Sequence, residues 1–139
     1  MQRDMDLIRD LLFRLESSDW GFVDTEGISA ELKKDGALVS YHLKLLYQAG
    51  YIEGQVTRGA ARREFNEKID LDMDYIVSVR PWSLTWEGHE YLDTVRDPEI
   101  WSKVKKSAGE IGSFGIDTLK ALAKGFIKTK IKEHSGIEL

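Results

Sequence analysis

Three stretches of this sequence carry side chains whose types and spacing could do chemistry. Asp70, Asp72 and Asp74 alternate as the first ligands of a calcium loop do, but the glycine expected next is Tyr75 and the closing glutamate is Pro81. The alternation of Ile69, Leu71, Met73 and Tyr75 with those aspartates instead fits a half-buried strand, whose acidic row would repel DNA or present a face to a protein. His89-Glu90-Tyr91-Leu92-Asp93 opens like the zinc-hydrolase signature H-E-x-x-H, with aspartate where the second histidine belongs. His42 and His134 stand at no paired spacing, so no metal or cofactor is expected, and His42 and His89 are expected to be packing histidines. Gly109, Gly112 and Gly115 follow no strand and fit neither phosphate-loop spacing, which leaves a hinge. The chain has no cysteine, which excludes a thiol nucleophile and a disulfide scaffold. No nucleophile and base stand in recognisable spacing, and no enzyme is expected.

The third stretch is a set of recognition groups rather than reactive ones. Val39, Leu43 and Leu46, with Leu38, His42 and Leu45, recur at helical spacing up to Ala49-Gly50. If the first three face inward, Ser40, Tyr41, Lys44, Tyr47 and Gln48 face outward. Glutamine can pair with adenine, and lysine with guanine or phosphate. A plain solvated helix face would also hold Ser, Lys and Gln. Base reading is preferred because Arg58, Arg62 and Arg63 follow where a hairpin should lie, although Glu64 and Glu67 come directly after them.

Other elements must position that helix. Met5, Ile8, Leu11, Leu12 and Leu15 lie at spacings of three and four, predicting a helix from an Asp4 cap to Ser17. Residues 25–34 read either as a short helix from a Thr25 cap to Lys34, burying Ile28 and Leu32, or as a half-buried strand in which Ile28, Ala30 and Leu32 alternate with polar residues. Asp35-Gly36 makes a turn into the recognition helix. Tyr51 to Arg58 predicts a strand, Gly59-Ala60-Ala61 a turn, and Tyr75 to Val79 the returning strand, closed by Pro81. Thr85 can cap a helix from Trp86 to Arg96 that buries Tyr91, Leu92 and Val95. Asp97-Pro98 restarts the chain, with Asp as cap and Pro at the first helical position of a helix bearing Ile100, Trp101, Val104 and Ala108. The three glycines break it, and a last helix runs to about Glu133 with Leu119, Leu122, Ala123, Phe126 and Ile127 along one side.

Charge divides the same chain. Residues 1–97 hold 12 basic and 19 acidic groups, whereas 98–139 hold eight lysines against five acids, and the whole is at −4. An acidic whole argues against strong non-specific DNA affinity, so any polyanion contact must use local patches. Lys120, Lys124, Lys128 and Lys132 recur at four along the last helix. Three readings compete for that helix: a dimerisation helix with a solvated lysine flank, which is favoured, a phosphate-contacting helix, or an amphipathic helix on anionic lipid. The opening MQRDMDLIRD is charged where a signal peptide needs an apolar run, and no stretch approaches the ~20 apolar residues of a membrane span, so a cytoplasmic protein without membrane contact is expected.

Two motifs carry a resemblance. Ser40-Tyr41-His42-Leu43-Lys44-Leu45-Leu46-Tyr47-Gln48-Ala49-Gly50-Tyr51-Ile52 resembles the S-x-H-L-x-x-L-x-x-A-G-[LY]-[VI] run of winged-helix repressors of the arsenic-repressor type. Leu84-Thr85-Trp86-Glu87-Gly88 is similar to the L-T-x-x-G that opens the helix after the wing in many such regulators. More closely, Arg3-Asp4-Met5-Asp6-Leu7-Ile8-Arg9, Tyr41 to Leu46 and Leu84 to Asp93 resemble an uncharacterised family of small bacterial and phage proteins. That resemblance implies a winged-helix fold and a prokaryotic or phage origin, and says nothing of a ligand. The repressors' thiol metal sites cannot be carried over to a chain without cysteine.

The expected architecture is mainly α with a small β-hairpin (α+β): a winged helix-turn-helix over 1–97 and a C-terminal helical extension over 98–139 that forms a homodimer. The expected function is transcriptional regulation by binding double-stranded DNA through Ser40, Tyr41, Lys44, Gln48, Arg58, Arg62 and Arg63. The alternative is a winged-helix protein-interaction adaptor that binds no DNA.

Overall fold

The computed structural model describes residues 2–17, 25–54, 56–58, 76–78 and 82–137. The elements are α1 (Met5–Glu16), α2 (Thr25–Leu32), α3 (Gly36–Gln48), β1 (Ile52–Glu53), β2 (Val56–Arg58), β3 (Ile76–Ser78), β4 (Ser83–Leu84), α4 (Trp86–Val95), α5 (Pro98–Ile111) and α6 (Ile116–Ser135). The fold is mainly helical with a small antiparallel β component. It divides into two compact units, Met1–His89 and Glu90–Leu139. The division falls inside α4, and Asp97-Pro98 opens a helix within the second unit.

In the first unit α1 starts where its sequence says it should, with the Asp4 carboxylate accepting the Leu7 N–H at 3.1 Å. Its apolar face, widened by Leu7, buries Met5, Ile8, Leu11, Leu12 and Leu15. That face and α2 both pack on α3. Residues 25–32 are helix, and the strand alternative fails on burial. Ile28 is buried but Ala30 is exposed, so the alternation a strand needs is absent. The helix ends before Lys34 because Lys33 takes a left-handed conformation (φ 54°). Arg14 of α1 forks onto Glu31 of α2, Nη2 to Oε1 at 3.0 Å, and this partner holds the Glu31 carboxyl below its ordinary range.

The predicted strand 51–58 forms as two short pieces. β2 pairs with β3 in the expected antiparallel sense (Val56↔Ser78, Thr57↔Val77, Arg58↔Ile76). β1 pairs with an unpredicted strand, β4 (Ile52↔Leu84, Glu53↔Ser83). The two ladders differ in register by two residues, so one continuous hairpin is not made. Tyr51 precedes β1 and joins no strand. The expected strand ends Tyr75 and Val79, the turn at 59–61, the aspartate row and Pro81 lie outside the described residues.

The two resemblance motifs meet at one junction. The left-handed Gly50 (φ 82°) ends α3, with the Tyr51 N–H returning to the Leu46 carbonyl at 2.9 Å. Thr85 caps α4 by accepting the Gly88 N–H at 3.1 Å, while its hydroxyl donates to the Gly50 carbonyl at 2.5 Å. The Thr85 N–H donates to the Tyr51 carbonyl at 3.1 Å. Gly88 lies so close behind that a Cβ there would sit 2.1 Å from the Tyr51 oxygen. A-G-Y-I and L-T-W-E-G are therefore the two halves of one backbone clamp.

In the second unit Asp97 caps α5 through the N–H groups of Glu99 (2.8 Å) and Ile100 (3.1 Å), with Pro98 at the first position. The hinge reading fails at Gly109, which is helical. α5 runs to Ile111, Gly112 ends it in a left-handed conformation, and Gly115 caps α6. The four residues 112–115 thus make a tight turn between two helices that pack together. Lys130 of α6 reaches back to Asp97 at 2.5 Å.

Gly88→Ala should cost about 3 kcal/mol or more, because the obstacle is backbone and cannot swing aside. Urea unfolding followed by circular dichroism measures it. A second expectation concerns acid. The hydrogen bond from Lys130, then that from the Ile100 N–H, holds the Asp97 carboxyl below its ordinary 3.8. The folded state binds that proton less tightly than the unfolded chain, so this contribution is complete above pH 3.8 and is lost as pH falls through the lowered value. Asp97→Ala should therefore lower the melting temperature at neutral pH, and its gap to the parent should close in melts taken progressively below pH 3.8.

Candidate nucleic-acid interface

α3 is held from behind by its apolar side and by one buried polar group. Val39, Leu43 and Leu46 are inside, as their spacing predicts. His42 is fully buried beside them. Its Nε2 accepts the Asp4 N–H at 2.8 Å and its Nδ1 lies 2.8 Å from the Leu38 carbonyl. A backbone N–H can only donate and a carbonyl can only accept, so the proton sits on Nδ1 and the ring is neutral. His42 is thus a satisfied packing histidine, and it ties the N-terminus of α1 to the middle of α3. His89 departs from the same expectation. Its side chain is half exposed, with Nδ1 4.0 Å from the Glu16 carboxylate of α1.

The outward face of α3 differs from its expectation at one position. Ser40 is only 4% exposed, so it lies on the core side and not with the recognition groups. The physical reason is that α3 packs against α1, α2 and β1, which buries an arc wider than Val39, Leu43 and Leu46 define. Tyr41 and Lys44 are half-buried, Tyr47 and Gln48 exposed. Tyr41, Lys44 and Gln48 follow one another at three and four, along one stripe. The Tyr41 ring stands edge-on to His42 (5.5 Å between centroids), and the Tyr47 ring is likewise set against buried Trp82 (5.9 Å). Both tyrosines are therefore oriented by the core while reaching the surface.

The electrostatics of the stripe are local. No Asp or Glu occurs between Asp35 and Glu53, in a chain that holds 24 of them. Among the hairpin arginines, Arg58 lies on β2 opposite Ile76. Arg62 and Arg63 lie outside the described residues. One surface group was missed by the sequence reading: Trp86, at the first position of α4, is 75% exposed. The signal was present, since Tyr91, Leu92 and Val95 define an inner face of α4 that does not include position 86.

The family described as "Hypothetical protein (DUF2513)" matches residues 2–114. The chain belongs to this family. The matched span takes in α1 to α5 and ends before α6. An uncharacterized protein of Haemophilus influenzae is 32% identical over 130 residues, which cover 91% of this chain and 96% of that relative. No solved structure matches the chain. In this family member no helix among the described residues is long and apolar enough to cross a membrane.

His42→Leu removes the acceptor for a buried N–H at the start of α1 and should cost about 1–3 kcal/mol. Chemical denaturation measures the loss, and amide exchange should localise it as faster exchange at Met5 to Leu7.

Proposed function

We propose that this protein is a double-stranded-DNA-binding transcriptional regulator of bacterial or phage origin, built as a winged helix-turn-helix. The observation that carries the reading is α3 itself. It is the second helix of the α2–α3 pair, it is followed directly by the β1–β4 and β2–β3 ladders, and its surface stripe presents Tyr41, Lys44 and Gln48 with no carboxylate nearby in sequence. In this reading α3 enters a major groove. Gln48 reads an adenine edge and Lys44 a guanine edge or a phosphate, while the two core-oriented tyrosines flank them. The hairpin acts as the wing, its arginines Arg58, Arg62 and Arg63 contacting phosphates. Ser40 has no part in it. The protein acts as a homodimer on a two-fold target, with exposed Ile111 and Phe114 at the α5–α6 turn as apolar surface for a second copy.

A second reading belongs to another class. The formal charge of −4 and the exposed Trp86 favour a winged-helix adaptor that contacts a protein and no DNA.

Selection of bound duplexes from a random pool, followed by salt titration, tests the first reading against the second. Lys44→Ala and Gln48→Ala should relax sequence preference, each by the ~1–3 kcal/mol of a lost base contact. Replacing Arg58, Arg62 and Arg63 by glutamine should weaken all duplexes alike and flatten the salt slope by ~0.9 for each phosphate released. Saturation should show two chains per selected site. Absence of salt-dependent retention on any duplex would transfer the assignment to the adaptor.

A further inference from the structure

We infer that Trp86, with Glu53 and Glu87 beside it, is a docking surface for a cationic segment of a protein partner, which lays an arginine or lysine on the indole face. The inference does not rest on α3 binding DNA, and where the adaptor reading holds it names the chemistry of what the adaptor takes.

The first observation is a side chain that the fold does not use. The neighbours of Trp86 have structural tasks: Thr85 caps α4 and binds the Gly50 and Tyr51 carbonyls, and Gly88 admits the Tyr51 oxygen. Trp86 stands between them at the first position of α4, 75% exposed. The other tryptophans among the described residues, Trp82 and Trp101, are buried, and the exposed Tyr47 ring is set against Trp82. No ring of the described residues lies against Trp86. A tryptophan can bury about 150–250 Å², and here most of that stays in water on a backbone already fixed by the Thr85 cap. A rigid, exposed indole is the kind of anchor that carries binding energy in an interface.

The second observation is the charge around it. The segments that meet at this junction, 49–54 and 82–89, hold two carboxylates, Glu53 and Glu87, both exposed, and no lysine or arginine. A first-turn side chain leans toward the N-terminus of its helix, here toward the β1–β4 ladder, where the Glu53 carboxylate lies 3.5 Å from the Ser83 hydroxyl. Glu87 follows Trp86 in the same turn. His89 is directed elsewhere, with its Nδ1 4.0 Å from Glu16. Glu87 also suits the positive start of a helix, but Glu53, on β1, has no such reason to be acidic.

The third step chooses the occupant. A duplex or an anionic lipid surface would bring its own negative charge against Glu53 and Glu87. A second copy applied through the same face would set those carboxylates against each other. An apolar segment would cover Trp86 but strip water from two carboxylates without pairing them. A cation meets both requirements, since the indole face attracts it and the carboxylates accept its donors. Arginine fits best, because its flat guanidinium stacks on a ring and keeps N–H groups free at its edge. An indole three-quarters exposed also offers more area than one guanidinium covers, which calls for a segment rather than a free amine.

The test uses the full chain and one probe, a fluorescein-labelled tetra-arginine peptide, with affinity read by anisotropy against salt concentration. Trp86→Ala should weaken binding about fivefold, the worth of one cation–π contact at a surface site. Trp86→Leu, which keeps apolar bulk without a ring face, should lose as much, and Trp86→Phe should lose less. Urea unfolding of these variants should match the parent, because the side chain is outside the core. Glu53→Gln/Glu87→Gln should weaken binding and flatten its salt dependence, whereas Glu110→Gln/Glu133→Gln, which removes two exposed carboxylates from the second unit, should change neither. A parent that shows no saturable binding of the peptide overturns the inference. Equal affinity in the parent and Trp86→Leu overturns it in favour of an apolar partner, and equal weakening in the two glutamine variants overturns it in favour of net charge alone. Duplex retention lost in Trp86→Ala, with peptide affinity kept, assigns the indole to nucleic acid instead. A parent dimer that Trp86→Ala dissociates, with peptide affinity again unchanged, assigns it to a second copy. Peptide binding that depends on Trp86 supports the site even where no duplex is retained, and that result removes the DNA reading alone.

Discussion

The approach of Gly88 to the Tyr51 carbonyl is the constraint on which the first unit depends. At this point the chain has left α3, made its β excursion and returned to begin α4, and the two ends of the excursion are joined by backbone. The Thr85 hydroxyl and N–H bind the Gly50 and Tyr51 carbonyls, and the Thr85 oxygen also closes the first turn of α4. Two of these bonds, from the Thr85 and Gly88 N–H groups, satisfy donors that the start of α4 would otherwise leave open. Because Gly88 brings no Cβ, the pairing of Ile52 with Leu84 can continue directly into the cap. Whatever lies between 54 and 82 is therefore anchored at its base independently of its own sequence.

His42 does for the other side of α3 what the clamp does for its end. A helix N-terminus carries open N–H groups, and the N–H of Asp4, one residue before α1, finds its acceptor on a different helix. The same ring is an edge-on neighbour of Tyr41, so a group on the outward stripe is oriented by a bond made inside. α3 is thus fixed in rotation about its own axis as well as in position. A surface that is to read shape or sequence needs that fixity, because a turn of one residue would replace Lys44 and Gln48 by Leu45 and Ala49.

Charge in this protein is sorted by segment rather than by overall balance. The run from Gly36 to Ile52 and the run from Thr118 to Lys132 hold no carboxylate, although acids outnumber bases in the whole chain. Elsewhere among the described residues, opposite surface charges meet in short pairs such as Arg14–Glu31, Arg96–Asp93 and Lys103–Glu99. Such pairs contribute little stability in water. Their effect is to cancel fields locally, while the two carboxylate-free runs carry only basic charge within an acidic chain.

Much of this was legible in the residues, because the signals involved are local. Asp4, Thr85 and Asp97 cap helices through atoms within three residues of themselves, and the periods of α1, α3 and α5 follow from which side chains must avoid water. Family membership is likewise carried by sequence. The tertiary structure decided what depended on distant partners. It made helix of 25–32, where both periods fitted, and there Ile28 is buried and Leu32, one turn on, half-buried, while Ala30 between them is exposed. It turned Ser40 inward, since the packing of α1, α2 and β1 around α3 sets the width of the buried arc, and periodicity gives only its direction. It paired Leu84 with Ile52, a contact between residues 32 apart that no window of neighbours contains. It also explained why Gly88 is glycine: the atom that excludes every other side chain belongs to Tyr51, and only folding brings the two together.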